Sequence, residues 1–179
     1  MIGHKILLTG ATGFVGKRLL QSLLSYEKSI CIISRNRHPS IDTFICDLET
    51  DKIPNIALKS VDTVFHLAGF AHDLRDTSKV EDTYSAINVV ATARLAELAA
   101  HQGVRKFVFT SSVKAGGAST AFQCMTEQNQ FVPEGIYGKT KREAELKLLE
   151  IDSHSSMHVS IVRPSLVYGT GMKGNLALM

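Results

Sequence analysis

Two sets of residues in this sequence are spaced to do chemistry. The first is Tyr137-Gly138-Lys139-Thr140-Lys141. If the segment is helical, Tyr137 and Lys141 stand four residues apart and share one face. A phenol has an ordinary pKa of about 10 and is a poor base near neutrality. An ammonium held beside it favours the phenolate and makes proton exchange with an alcohol or sugar hydroxyl feasible. Upstream, Thr110-Ser111-Ser112 closes an apolar run, and a hydroxyl there could hydrogen-bond the oxygen whose proton Tyr137 handles. Each piece alone has a plainer reading. Tyr-x-x-x-Lys also occurs as a surface helix pair, and serines after a strand are common turn formers.

The second set is Thr9-Gly10-Ala11-Thr12-Gly13-Phe14-Val15-Gly16. It follows the apolar run Ile6-Leu7-Leu8 and opens a segment with helical spacing at Leu19, Leu20, Leu23 and Leu24. A strand, three glycines at fixed interval and a helix start are what a dinucleotide pyrophosphate requires. The first glycine permits the tight turn, the second lets the backbone approach the phosphates, and the third lets helix and strand pack closely. The next apolar run ends in Ser34-Arg35-Asn36-Arg37. A carboxylate at that place accepts from the ribose 2′-hydroxyl of NAD, whereas an arginine accommodates a 2′-phosphate. Arg35 and Arg37 therefore favour NADP(H) over NAD, a pair of exposed loop arginines being the alternative. Asp47, in Cys46-Asp47-Leu48, could accept from an adenine amino group or stand as an exposed turn aspartate.

The elements that must position these residues alternate strand with helix. Strands are expected at Lys5–Thr9, Ser29–Ser34, Thr43–Cys46, Val61–Leu67, Lys106–Thr110 and Met157–Val162. Helices are expected at Gly13–Ser25, from about Thr83 to Gln102, and at Ile136–Ser153, with a brief one at Ala57–Ser60. Ala91, Leu95, Leu98 and Ala99 line one face of the second long helix, and Gly103 ends it. A polar loop runs from the fifth strand through Pro133. Alternating β and α with near-continuous apolar strands implies an α/β fold, a doubly wound parallel sheet. Its right-handed crossovers place the glycine turn at the carboxyl edge, at the switch point.

Composition narrows the function classes. The 179 residues suffice for one domain with a sizeable core. Twenty basic and 17 acidic residues are mixed along the chain, without the basic stripe of a nucleic-acid binder. The apolar runs are strand-sized, so no membrane span is expected, and the N-terminus runs straight into the first strand without a signal peptide. Cys31, Cys46 and Cys124 are odd in number and widely spaced, which suits free thiols in a reducing cytoplasm. His154 and His158 have metal-like spacing but no third ligand, and no metal is expected. At the other end, Gly174-Asn175-Leu176-Ala177-Leu178-Met179 reads as the start of a helix without a stop signal. The sequence is thus read as the N-terminal part of a longer protein.

Together these pieces resemble the extended short-chain dehydrogenase/reductase family, the nucleotide-sugar epimerases and dehydratases, and within it the UDP-glucose 4-epimerase-like branch. Beyond the two sets above, the matching residues are Asp47-Leu48, His66-Leu67-Ala68-Gly69, Asn88 and Arg163-Pro164-Ser165-Leu166-Val167-Tyr168-Gly169, in the family's order. Ser112-Val113-Lys114-Ala115-Gly116-Gly117 and Gly171-Met172-Lys173-Gly174-Asn175 carry the match to the branch. The resemblance implies a Rossmann domain over residues 1–179 and a C-terminal substrate domain that this chain lacks. It implies Ser112, Tyr137 and Lys141 as the catalytic trio, with Ser112 rather than Ser111 because its interval to Tyr137 matches the family's. Cofactor contacts are implied from Gly10, Thr12, Gly13, Phe14, Val15 and Gly16. Others come from Leu48, Leu67, Ala68, Gly69 and Asn88, from Tyr137 and Lys141 themselves, and from Pro164 beside the nicotinamide. His66 receives no catalytic role.

The activity implied is NAD(P)-dependent epimerisation or reduction at C4 of a UDP-linked sugar. A 4-keto reductase of a UDP-deoxy amino sugar and a non-catalytic NADP-binding regulatory module are the alternatives. The family often dimerises by packing its two long helices, and Leu95, Leu98, Leu146 and Leu149 could serve that contact or simply face the sheet.

Overall fold

The computed structural model describes residues 4–26, 29–71, 80–117, 126–128 and 130–171. Cys124 and the 174–179 segment lie outside them. Six strands form one all-parallel sheet: β1 (Lys5–Thr9), β2 (Ile30–Ser34), β3 (Asp42–Ile45), β4 (Val61–His66), β5 (Lys106–Thr110) and β6 (His158–Val162). Their spatial order is β3-β2-β1-β4-β5-β6, the doubly wound order with its reversal between β1 and β4. The central β1 and β2 are buried along nearly their whole length, while the edge strands β3 and β6 are partly exposed. That gradient explains why β1 and β2 read as unbroken apolar runs and β3 does not.

Helix α1 (Phe14–Tyr26) covers one face of the sheet, where Ile6, Leu8, Ile30 and Ile32 meet Leu20. The opposite face carries Leu7, Cys31, Val64, Phe107 and Phe109. Against it lie Leu95 and Ala99 of α3 (Thr92–His101) and Ala144 and Leu148 of α4 (Gly135–Ser153). The apolar spacing along these helices is thus the spacing of one buried stripe each. Leu95 is fully buried and faces the sheet, while Leu98 is partly buried and packs against the same core. Leu146 and Leu149 are exposed, as is Val90.

The strand and helix boundaries differ from the sequence reading by three residues or fewer. Two differences concern the site. The second long helix begins at Val80 and is not regular. It runs as α2 (Val80–Ser85), a π-helical segment at Ala86–Ala91, and then α3, with helical backbone at the junctions. Its end at Gly103, in positive φ, is as expected. The polar loop after β5 also contains a short 3-10 turn, Val113–Gly116. A second such turn, Asn55–Leu58, replaces the brief helix expected at Ala57–Ser60. Among the described residues, no helix is long and apolar enough to cross a membrane.

Candidate active site

Strand register sets the floor of the site. Thr9 pairs with His66, His66 with Phe109, and Thr110 with Val162, so the segments bearing functional residues all leave the sheet at its carboxyl edge. The glycine turn leaves β1 there. Gly10 has φ +72°, and a Cβ on it would lie 2.5 Å from the Ala68 nitrogen, so this position requires glycine. The Gly13 N–H donates to the Gly10 carbonyl at 3.0 Å, and the Lys17 N–H to the Gly13 carbonyl at 3.0 Å, which hands the turn into α1. Thr12 and Val15 are exposed, and Phe14 is half-buried under the Arg18 guanidinium, 4.2 Å from its ring centre. A Cβ on Gly13 would meet only the Gly10 carbonyl, at 3.2 Å. The outer side of the turn is therefore bare backbone at a helix start, which fits the pyrophosphate of a dinucleotide.

Ser112, Tyr137 and Lys141 come together beside this turn. Ser112 is extended and begins the 3-10 turn, its Oγ accepting from the Lys114 N–H at 3.3 Å. Its hydroxyl also lies close enough to the Tyr137 phenol to favour the phenolate. Gly138 makes that approach possible, because a Cβ there would lie 2.5 Å from the Lys114 carbonyl oxygen. Any larger residue would push α4 off the turn and separate the two hydroxyls. One helical turn further on, the Lys141 Nζ donates to the Thr110 carbonyl at 2.9 Å and lies 4.5 Å from the Phe109 ring centre.

The electrostatics differ in one respect from the sequence expectation. The Lys141 ammonium sits 6.0 Å from the Tyr137 ring centre and is engaged with Thr110. Burial accordingly raises the phenol above its ordinary 10, and Tyr84 adds to that; the Ser112 hydroxyl pulls partly back. Lys141 moves the other way. Burial brings it down from 10.5 to about 8, against an upward pull from the Glu145 carboxylate.

The sequence pattern described as the NAD dependent epimerase/dehydratase family matches residues 6–178. The chain belongs to this family. It is 38% identical to the UDP-glucose 4-epimerase of Vibrio cholerae over 96% of its own length and 54% of that protein's. It is 29% identical to the 3 beta-hydroxysteroid dehydrogenase/Delta 5-->4-isomerase of Mycobacterium tuberculosis, over 93% and 48%. Among solved structures, MoeE5 in complex with UDP-glucose and NAD matches with a TM-score of 0.84 at 31% identity, over 94% of this chain and 56% of that one. The chain thus spans about half the length of the relatives it matches.

The other residues expected around the cofactor of this epimerase/dehydratase-family chain divide into two groups. Leu67 and Ala68 are fixed to β1, their N–H groups donating to the Thr9 carbonyl (3.2 Å) and the Thr9 Oγ1 (3.2 Å). Gly69 passes directly over the lysine, since a Cβ on it would lie 3.1 Å from the Lys141 Nζ. The Pro164 carbonyl accepts from the Val113 N–H at 3.2 Å, tying the segment after β6 to the 3-10 turn. Arg35 and Arg37 are exposed just past β2.

Three more of these residues have partners within the chain. The Asn88 side chain, buried on the π-helical segment, accepts from the Phe70 N–H at 2.7 Å. It also donates to the Phe70 carbonyl at 3.0 Å and to the Thr140 Oγ1 at 3.3 Å. It therefore pins the loop after β4 to α4. The Leu48 side chain lies in the core. The Asp47 Oδ1 accepts from the Glu49 N–H at 3.0 Å, an Asx turn.

His66 is a strut of this site. It is fully buried, with Nδ1 2.6 Å from the Thr9 Oγ1 and Nε2 2.9 Å from the Thr92 Oγ1. Burial, then the Lys141 charge, lowers its pKa to about 3, so the ring is neutral and links β1 to α3. Among the described residues, no group of three or more His, Cys, Asp or Glu side chains is placed to hold a metal ion.

The buried lysine has a measurable consequence. A folded-state pKa near 8 against 10.5 unfolded means that the unfolded chain holds more protons between those values. Stability contributed through this group therefore rises with pH across that window, and the full penalty applies below it. At about 1.4 kcal/mol per pKa unit, the penalty near pH 7 is roughly 3 kcal/mol. Lys141→Met keeps the stem and removes the charge. We expect its melting temperature near neutrality to exceed the wild type's by about 2–10 °C, with the gap closing at about pH 10. Thermal melts at the two pH values check this; a variant less stable at neutral pH would contradict it.

Proposed function

We propose that this chain is the cofactor-binding and catalytic half of an enzyme acting at C4 of a nucleotide-linked sugar. The observation that carries the reading is the meeting of Ser112, Tyr137 and Lys141, with Gly138 seated against the Lys114 carbonyl and Lys141 on the Thr110 carbonyl, beside a glycine turn shaped for a dinucleotide. The V. cholerae epimerase and the UDP-glucose complex of MoeE5 support the substrate class.

In this reading, Tyr137 accepts the proton of the C4 hydroxyl and returns it, and Ser112 holds the same oxygen by a hydrogen bond. Lys141 binds the nicotinamide ribose and lends its positive charge to the phenolate. Gly10, Gly13 and the start of α1 take the pyrophosphate, with Thr12, Phe14 and Val15 around it. Ala68, Gly69 and Pro164 line the nicotinamide end. A bound nicotinamide supplies the hydride acceptor and donor. An epimerase returns the hydride to the opposite face of the same sugar, and a reductase delivers it once.

The test is to assay the complete gene product and this 179-residue chain side by side on UDP-galactose and UDP-glucose. Interconversion by the complete protein is the expected result. Tight dinucleotide binding without turnover of either sugar, or of its 4-keto form, would instead make the protein a non-catalytic binder.

We further propose that NADP(H) is preferred over NAD. Support comes from Arg35 and Arg37, exposed just past β2 where a carboxylate would select the 2′-hydroxyl. One charge-assisted hydrogen bond to a 2′-phosphate contributes about 1.5–3 kcal/mol, and NADPH should therefore bind at least about tenfold more tightly than NADH. Titration of reduced-nicotinamide fluorescence reads both affinities. The difference should vanish in Arg35→Ala/Arg37→Ala, and equal affinities in the wild type would return the assignment to NAD.

A further inference from the structure

One charged group in the site has no part in the chemistry above. Glu145 lies one helical turn past Lys141 on α4, and its side chain is fully buried. A carboxylate there must be compensated or it would take up a proton. Three elements compensate it. The Ser111 Oγ donates to Oε1 at 2.5 Å from the end of β5. Arg163, just past β6, donates from Nε to Oε1 at 2.8 Å and from its terminal nitrogen to Oε2 at 2.5 Å. Arg142 of α4 donates to Oε2 at 3.1 Å. Burial alone would raise this carboxyl, but the hydrogen bonds from Arg163 and Ser111 and the arginine charges outweigh it and hold it below its usual 4.5.

A buried pair of this kind is weak evidence for a purely stabilising role, because apolar side chains of the same volume often serve as well. What distinguishes this one is where its partners sit. Ser111 precedes Ser112, Arg163 precedes Pro164, and Lys141 shares the helix face. We propose that Glu145 is a positioning residue: one buried carboxylate, gripped by Ser111 and Arg163 one helical turn past Lys141, fixes three walls of the site.

The role assigned to Lys141 rests on the proposed function; the clamp itself does not. Among the described residues, the charged and titratable groups around the pair are few. Arg142 and Arg163 face Glu145, while Tyr137 and the neutral His66 are the other groups near Lys141. Glu145 therefore supplies the negative charge that opposes the cost of burying the lysine.

The test uses Glu145→Met/Arg163→Met, which removes the carboxylate without stranding Arg163 as an unpaired buried charge. Thermal melting establishes that the variant is folded. Titration of lysine labelled with ¹³C at Cε reads the Lys141 ammonium directly, and NADH fluorescence reads the cofactor site, so neither readout depends on sugar turnover. The Lys141 midpoint should fall from about 8 by about one pH unit, and NADH should bind at least about threefold more weakly. A folded variant with an unmoved midpoint and a smaller change in affinity overturns the proposal; a shift in either supports it. If the double variant does not fold, Arg163→Lys decides, since it keeps the charge and loses the two-pronged grip. NADH binding weakened at least about threefold then supports the clamp, and a smaller change overturns it.

Discussion

Tyr137→Phe is expected to lower turnover of a UDP-sugar by about 10²–10⁴-fold, the usual contribution of one positioned acid or base. The substitution removes one oxygen and little else. The ring keeps its edge-on packing against Tyr84, 6.3 Å between centres, and Lys141 keeps its bond to the Thr110 carbonyl. Melting temperature and NADH affinity should therefore stay close to wild type, which separates lost chemistry from a damaged site.

The pH dependence gives a second signature. Burial holds the phenol above its ordinary range, so its base form is scarce at neutral pH and a rate limited by proton removal rises with pH. The residual rate of the phenylalanine variant should be flat where the wild type rises. Rates measured from about pH 6 to about pH 8 compare the two, and turnover retained within a few-fold would remove Tyr137 from the acid/base role.

The parts of this site that can be read along the chain are those carried by local spacing. The Tyr137–Lys141 interval places both residues on one helix face whatever lies around them. The glycine turn is equally local, since strand, turn and helix start are contiguous. Parallel topology was legible from the unbroken apolar runs of β1 and β2, and β3 was placed to within one residue although it is half-exposed.

What stayed hidden are interactions between segments far apart in the chain. Glu145 is 18 residues from Arg163 and 34 from Ser111, and nothing local reveals that they meet. A signal does exist in hindsight: Glu145 lies on the same helix face as Lys141, next to the buried Ala144 and Leu148, where an unpaired carboxylate would be untenable. Gly138 was passed over for a similar reason, because its neighbour Lys114 belongs to the preceding loop. The π-helical segment escaped periodicity because one wider turn hardly disturbs an apolar stripe. It is nonetheless where Asn88 reaches Phe70 and Thr140, in keeping with the tendency of such segments to mark functional places. The lysine inferred from spacing to sit beside Tyr137 lies 6.0 Å from its ring centre in this structure, with its Nζ bonded to the Thr110 carbonyl.

The glycine turn supplies the other large effect, and Gly16 and Gly13 should fail in different ways. A Cβ at Gly16 would fall inside the carbonyl of Gly10, with the Gly10 carbonyl carbon at 2.8 Å and the Ala11 Cα at 3.0 Å. All of these atoms are backbone, so no side chain can swing away, and α1 must retreat from β1. Gly16→Ala should therefore cost at least about 1–3 kcal/mol, seen as a melting temperature lower by roughly 2–12 °C. Displacing the helix start from the turn should also abolish measurable dinucleotide binding.

Gly13→Ala is a different case, because its Cβ would meet protein only at the Gly10 carbonyl, 3.2 Å away. That variant should melt within about 2 °C of wild type. It should still bind NADPH at least about tenfold more weakly, because the new methyl group occupies the side from which phosphates approach. Melting curves and fluorescence titrations on the two variants form one experiment. If Gly13→Ala bound the dinucleotide as wild type does, the pyrophosphate would have to lie elsewhere. If Gly16→Ala melted as wild type does, the close contact of α1 with the turn would not be what holds this edge of the sheet together.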